Sequence, residues 1–332
     1  MDPHSHPPCP AASHPLNTQK YIVPTPSIDA LYGQIRKCIK LRVPGGIVYA
    51  MTRYGKTYAT RYIRGMLKLD YPGIVTLRFG CQKRKQPSEG AFFSNLLRWA
   101  GHAKHDTGTN KQLRNRLMHL LLDQMVVSPH NFLVVFADEA QKLEIEDYEW
   151  LREIHDELED KGYRMITFLV GQPQLRHQKT ALKKARQTQI VGRFMIDEFE
   201  FRGVTCVEDA ASCLRSYDNG KFPVDSEWTF PRFFLPRAWN SGFRLQPCAP
   251  QMWAEFEAVH EEAGFQEKLE VPMTYFARSI EILLTTMGPE LDREDFRVTP
   301  EMWKKIVAES RFAQSEEELL TIIADTDELE LG

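Results

Sequence analysis

The sequence has few of the features that mark a membrane, secreted or metal-scaffolded protein. No apolar run approaches the roughly 18 residues that a membrane-spanning helix needs, so no span is expected. Its six cysteines (Cys9, Cys38, Cys81, Cys206, Cys213 and Cys248) are irregularly spaced and form no CxxC pair. That fits reduced cytosolic thiols better than a disulfide framework or a zinc site. The start, MDPHSHPPCPAASHPL, has neither the basic opening nor the apolar stretch of a secretory signal. Charge of one sign is lacking too. Against 42 Lys and Arg stand 45 Asp and Glu, a net charge of −3, so any binding of nucleic acid must come from local basic patches. The ten histidines are dispersed, with no HExxH and no Ser-His-Asp arrangement, and support no hydrolase chemistry of those kinds. His4, His6 and Cys9 lack the further ligands that would complete a metal site.

What is present is an ordinary globular composition. With 42% hydrophobic and 26% charged residues, the chain is neither disordered nor collagen-like. Its 332 residues suggest two domains, or one with an appendage. Residues 1–26, rich in Pro, His and Ala, read as a flexible arm and extended lead-in. A helix is expected from Ser27 as N-cap, with Ile28, Leu31, Ile35 and Ile39 on one face. Strand and helix then alternate. Strands are expected at GGIVYA (45–50), IVTLRF (74–79), NFLVVFAD (131–138), MITFLVG (165–171) and MIDEFEF (195–201). The third is almost continuously apolar, as a strand buried on both faces of a parallel sheet should be. Helices are expected at 57–69, 88–100, 112–126 and 147–161, with a basic helix running through Arg186. The fold class is therefore α/β, a parallel sheet flanked by helices over residues 27–204. Residues 205–314 read as a mostly helical part with an aromatic and proline-rich insertion at 218–250, and 315–332 as an acidic tail. The insertion reads either as packing between the two parts or as a platform for a partner.

Ala50-Met51-Thr52-Arg53-Tyr54-Gly55-Lys56-Thr57 lies directly between a strand and a helix, the context a phosphate-binding loop needs. Backbone N–H groups and the positive end of the helix would wrap the phosphates of ATP. Lys56 would supply a point charge and Thr57 a hydroxyl for Mg²⁺. Ala50 stands where such loops usually have their first glycine. The strand Val134–Ala137 ends in Asp138 and Glu139. These are candidates for holding Mg²⁺ and for polarising the attacking water. Gln172, after the fourth strand, would lie between the two motifs and could sense the γ-phosphate or simply cap the next helix. Arg193, just ahead of the last strand, is a candidate to act in trans on a neighbour's nucleotide, with Arg186 as its competitor. Asp156, Glu157, Glu159 and Asp160 read as an exposed helix face rather than a metal cluster.

This arrangement resembles the AAA+ ATPases, with a RecA-like sheet and a helical C-terminal lid. Within them, FADEAQKL (136–143), TFLVGQPQL (167–175) and RQTQIVGRFM (186–195) resemble the transposition regulators of the TnsC/TniB group, relatives of the ExeA-type ATPases. The resemblance implies an Mg²⁺-dependent ATPase that assembles on duplex DNA as a ring or helical filament, hexameric or heptameric per turn. It also implies that such an assembly links a transposase to a target selector, TniQ- or TnsD-like or part of an RNA-guided complex, in the bacterial cytoplasm near the nucleoid. A DNA-independent scaffold or remodelling ATPase of ExeA type and a helicase-loader-like ATPase are the alternatives.

Two basic loops make DNA binding plausible from the residues themselves. Lys83, Arg84 and Lys85 follow the second strand. Lys104, Thr109 and Lys111 lie in a second polar loop with His105 and Asn110, and Arg114 and Arg116 come just beyond. Such side chains neutralise phosphates or donate to backbone oxygens, and neither loop shows a base-reading element.

Overall fold

A computed structural model describes residues 7–265 and 267–315. The acidic tail, apart from Ser315, and His4 and His6 lie outside the described residues. The chain divides into two compact units. One comprises Ala30–Thr52 and Lys56–Phe201; the other comprises the chain up to Asp29, Arg53–Gly55, and the chain from Arg202 onward.

The first unit is built on five parallel strands, β1 (Gly45–Tyr49), β2 (Val75–Gly80), β3 (Phe132–Asp138), β4 (Arg164–Gly171) and β5 (Asp197–Glu200), in the order β2-β3-β4-β1-β5. Every residue of β3 is buried, as its apolar run requires. Leu133, Val135 and Ala137 share a core with Leu96, Leu117, Leu121 and Leu151 from the flanking helices. Each leucine or valine among them contributes roughly 1.5–3 kcal/mol when fully buried. Strand register fixes where the loops emerge. Asp138 pairs with Val170, and Tyr49 pairs with Gly171. The loop after β1, the acidic pair at the end of β3 and the turn after β4 therefore leave the sheet at one edge. Gly45 at the start of β1 is required by close packing, since a Cβ there would meet the Thr167 carbonyl oxygen at 2.7 Å and that of Arg193 at 2.8 Å.

The helices lie near their expected places, with differences at the caps. The first, Pro26–Leu41, is capped by Thr25, whose Oγ1 accepts from the Ile28 N–H at 3.2 Å, and not by Ser27. Pro26 fits the first helical position because no N–H is needed there. The basic helix ends at Lys184. Arg186 turns left-handed at φ 58°, and a separate helix, Thr188–Phe194, leads to β5.

The second unit is helical, with Val207–Asn219, Ala249–Glu262, Met273–Glu281 and Pro300–Ser310 around Phe256, Phe276, Trp303 and Phe312. Phe230, Phe233, Phe234 and Phe243 of the aromatic stretch are buried in this same core, and Trp228 is buried edge-on to Phe233, so they offer no partner platform. The expected flexible arm is also corrected from residue 7 on. Leu16 is buried, and His14 is fully buried with its ring centre 4.5–5.2 Å from those of Phe222, Phe230, Phe233 and Phe234. Proline-rich composition without periodicity suggested mobility, but a histidine among four aromatic rings anchors the segment. Among the described residues no helix is long and apolar enough to cross a membrane.

Candidate functional site

The loop after β1 carries Ala50, buried, then Met51, Thr52 and Arg53, all exposed, and half-buried Tyr54 and Gly55. Two backbone angles close it: Arg53 at φ 69° and Gly55 at φ 93°. Only glycine adopts the second without strain. The guanidinium of Arg53 reaches the Tyr275 hydroxyl within the helical unit, the unit with which these tip residues group. Lys56 opens the helix Lys56–Asp70, whose first-turn N–H groups have no intrahelical partners and face the loop. Its Nζ donates to the Ala50 carbonyl at 2.7 Å and the Met51 carbonyl at 2.6 Å. The ammonium is thus held by carbonyls of its own loop. Burial pushes its pKa down, and the carboxylates of Glu139 and Asp138 partly restore it.

Thr57 Oγ1 donates to Asp138 Oδ2 at 2.9 Å, so the two expected metal-holding side chains are in direct contact. Hard oxygen donors of this kind suit Mg²⁺, and the residues present fit it. Asp138 Oδ1 accepts the Glu139 N–H at 3.1 Å. Glu139 itself is left-handed at φ 57°, a conformation that costs a non-glycine residue about 1 kcal/mol or more and that clusters at active sites. Its carboxylate accepts from Gln141 Nε2 at 2.9 Å and lies 3.3 Å from Lys142 Nζ. Gln172 follows the central strand β4, and its backbone N–H donates to Gln141 Oε1 at 3.2 Å. Its carbonyl accepts from Leu175 N–H, so its main chain also opens the next helix.

Two residues of the cluster belong to neither sequence motif. Gln141 ties the Glu139 carboxylate to the Gln172 backbone. Arg78, in the middle of β2, places its guanidinium on Asp138 Oδ2. The only signal in the sequence is an arginine inside the apolar run IVTLRF.

Arg193 stands apart from this cluster. Its guanidinium pairs with Asp156 and lines a cleft with Arg42, Pro44 and Arg164, where β1 and β4 begin. In one chain it is therefore at the sheet edge opposite the loop. Asp156, Glu159 and His155 do lie close enough to offer ligand atoms within 4.8 Å of one another, but Arg193 already occupies Asp156. Arg186 is exposed.

The basic loops contain fewer open charges than their sequence suggests. Lys83 and Lys85 are exposed, but Arg84 turns inward onto Asp147, which is 1% exposed. Arg84 is thus corrected from a DNA candidate to an internal ion pair. Lys104 and Lys111 are exposed. Thr109 is the N-cap of Asn110–Val127, in a capping box with Gln112, so its oxygen already serves the helix. Arg114 pairs with Glu153 at 2.6 Å, and Arg116 donates to the Lys104 and Thr107 carbonyls.

Residues 44–178 match the family described as AAA domain. No curated protein matches the chain. The Aeropyrum pernix ORC2 protein, solved as ADPNP and ADP complexes, aligns over 90% of this chain and 72% of its own, with a TM-score of 0.56 and 13% identity. The Aeropyrum pernix ORC1 protein in complex with DNA aligns over 90% and 86% (TM-score 0.41, 12% identity). Domain III of the Thermotoga maritima replication initiation protein DnaA aligns over 81% and 95% (TM-score 0.37, 14% identity). At such identity the ORC2 likeness bears on fold alone. The chain has an AAA+ RecA-like fold with a helical C-terminal part, and the match to the AAA domain family is confined to residues 44–178.

Proposed function

We propose that the protein is an ATP-hydrolysing AAA+ switch that regulates DNA transposition, assembling on duplex DNA and linking target selector to transposase. The observation that carries the ATPase part is the convergence of Lys56, Thr57, Asp138 and Glu139 at one sheet edge, with Thr57 and Asp138 in hydrogen-bond contact. The transposition part rests on the likeness of residues 136–143, 167–175 and 186–195 to the TnsC/TniB group.

In this reading Lys56 exchanges the Ala50 and Met51 carbonyls for phosphate oxygens, and the loop amides wrap the phosphates. Thr57 and Asp138 hold Mg²⁺, which when bound neutralises charge developing on the phosphates. Glu139, held by Gln141, orients and deprotonates the water that attacks the γ-phosphorus as the bond to ADP breaks. Gln172, directly after the strand that lies between β1 and β3, reports the γ-phosphate in this reading. Arg193, remote from its own chain's loop, acts on a neighbour's nucleotide once Asp156 releases it. Exposed Lys83, Lys85, Lys104 and Lys111 supply phosphate contacts to DNA.

The test is Glu139→Gln with ATP, with and without short duplex DNA, followed by electron microscopy and phosphate release. Expected are rings or filaments that need both ligands and persist, while wild-type assemblies disperse. Normal turnover and dispersal of the variant would overturn the switch. Assembly indifferent to DNA would favour the scaffold reading, and preference for single strands the helicase-loader reading.

A further inference from the structure

Arg78 is an unusual charge for its place. It lies in β2 between Leu77 and Phe79, is 6% exposed, and pairs in register with Phe136 of the fully buried β3. Burying a guanidinium there is costly unless a carboxylate receives it. The receiving carboxylate is Asp138, 4% exposed, and the receiving oxygen is Oδ2, the same atom that accepts the Thr57 hydroxyl. The Trp99 ring lies 5.2 Å from the guanidinium carbon. The Nε of Arg78 has no partner among the described residues. A second guanidinium, Arg64, is near enough for Arg78 to help push its pKa down, after burial itself. The carboxylate that Arg78 pairs with is Asp138.

We propose that Arg78 is a positioning residue for the metal-dependent step: a fixed counter-charge on Asp138 that sets how much divalent metal the nucleotide site requires. The inference rests on the reading of Asp138 as the metal-holding carboxylate. Both Asp138 oxygens are engaged, Oδ1 by the Glu139 N–H and Oδ2 by Thr57 and Arg78. A divalent cation taken up beside Thr57 meets a guanidinium on the same oxygen. It must share that oxygen with Arg78 or displace it. Like charges held on one oxygen repel even through bulk-water dielectric, enough to weaken metal binding by about tenfold or more. The same guanidinium keeps Asp138 neutralised when no metal is there, so nucleotide binding retains a metal-independent component. A residue present only to join β2 to β3 would do neither.

The experiment uses the full chain and equilibrium binding of a fluorescent ATP analogue, in EDTA and across a MgCl₂ titration. Arg78→Gln is expected to move the Mg²⁺ midpoint down by about tenfold or more and to weaken binding in EDTA severalfold. Arg78→Lys, which keeps the charge, should stay near wild type in EDTA. A folded Arg78→Gln protein with the wild-type midpoint overturns the proposal and leaves Arg78 a structural pair. If Arg78→Gln fails to fold, Trp99 provides the readout in the intact site. Its emission in the nucleotide-bound protein should change with Mg²⁺, and Trp99→Phe should remove that change; an emission insensitive to Mg²⁺ overturns the proposal. Asp138→Asn separates the two levels of argument. If it leaves the Mg²⁺ dependence untouched, the nucleotide-site reading fails; if it abolishes that dependence while Arg78→Gln changes nothing, only the role of Arg78 fails.

Discussion

Gln141 offers a sharp test of how the site works, because two different substitutions should disturb it in the same way. It sits in the one-turn helix Ala140–Lys142, directly after the left-handed Glu139. Its amide nitrogen holds the Glu139 carboxylate at 2.9 Å and its amide oxygen holds the Gln172 N–H at 3.2 Å. The neighbouring Lys142 contact, at 3.3 Å between side chains 39% and 38% exposed, is too open to replace this support. Gln141→Leu keeps the bulk and deletes both bonds. A hydrogen bond to a charged group contributes about 1.5–3 kcal/mol. If that energy holds Glu139 where water is activated, kcat should fall by about tenfold to a hundredfold. Lys56 and the loop are untouched, so ATP affinity should not change.

Gly171→Ala should reproduce the effect without altering Gln141. A Cβ at Gly171 would stand 2.2 Å from Gln141 Oε1 and 2.8 Å from Leu175 Cδ1, so the amide must move. Overpacking of this kind costs typically about 1–3 kcal/mol. Steady-state ATPase kinetics with an independent nucleotide-binding measurement separate kcat from affinity. Wild-type turnover in both variants would refute the positioning role. A loss confined to ATP affinity would refute it equally, by showing that Gln141 serves binding rather than Glu139.

Charge placement gives further expected outcomes. Neutralising Lys83 and Lys85 to Ala should leave the melting temperature unchanged and make the slope of log affinity for duplex DNA against log salt shallower by about two. Arg84→Ala should instead lower stability by about 3–5 kcal/mol, because Asp147 is left buried without its partner; urea unfolding and salt-dependent binding distinguish the two, and a stable Arg84→Ala protein would return Arg84 to the DNA loop. Burial pushes the His14 pKa from 6.5 down to about 4, so the unfolded chain binds the proton more readily than the folded one. This contribution is complete above about pH 6.5 and is lost as pH falls toward 4, about 2 kcal/mol between pH 7 and pH 5. Urea midpoints at the two pH values should therefore differ more in wild type than in His14→Phe, and equal differences would remove His14 as the cause.

The parts of this site that were legible in the sequence are those made by neighbours along the chain. Lys56 and Thr57 adjoin the loop they serve, and Asp138 and Glu139 terminate the strand that carries them. The apolar runs marked β1 to β4, because strands buried on both faces of a sheet read as near-continuous apolar segments, whereas the edge strand β5, Asp-Glu-Phe-Glu with no fully buried residue, shows only alternation. The position of Gln172 needs no more than strand order, which puts the end of β4 between β1 and β3. Contacts between distant charges leave no such trace. Arg78 meets Asp138 across 60 residues and Arg84 meets Asp147 across 63. Both arginines have the local surroundings of something else, a strand interior in one case and a basic loop in the other. His14 shows the same limit in an apolar setting, because its aromatic slot is assembled from Phe222, Phe230, Phe233 and Phe234, far along the chain. The two arginines then diverge for a reason visible only in their partners. Asp147 belongs to a helix and its bond to Arg84 removes a charge from the surface, whereas Asp138 belongs to the proposed site, where its bond to Arg78 would add a charge to the chemistry.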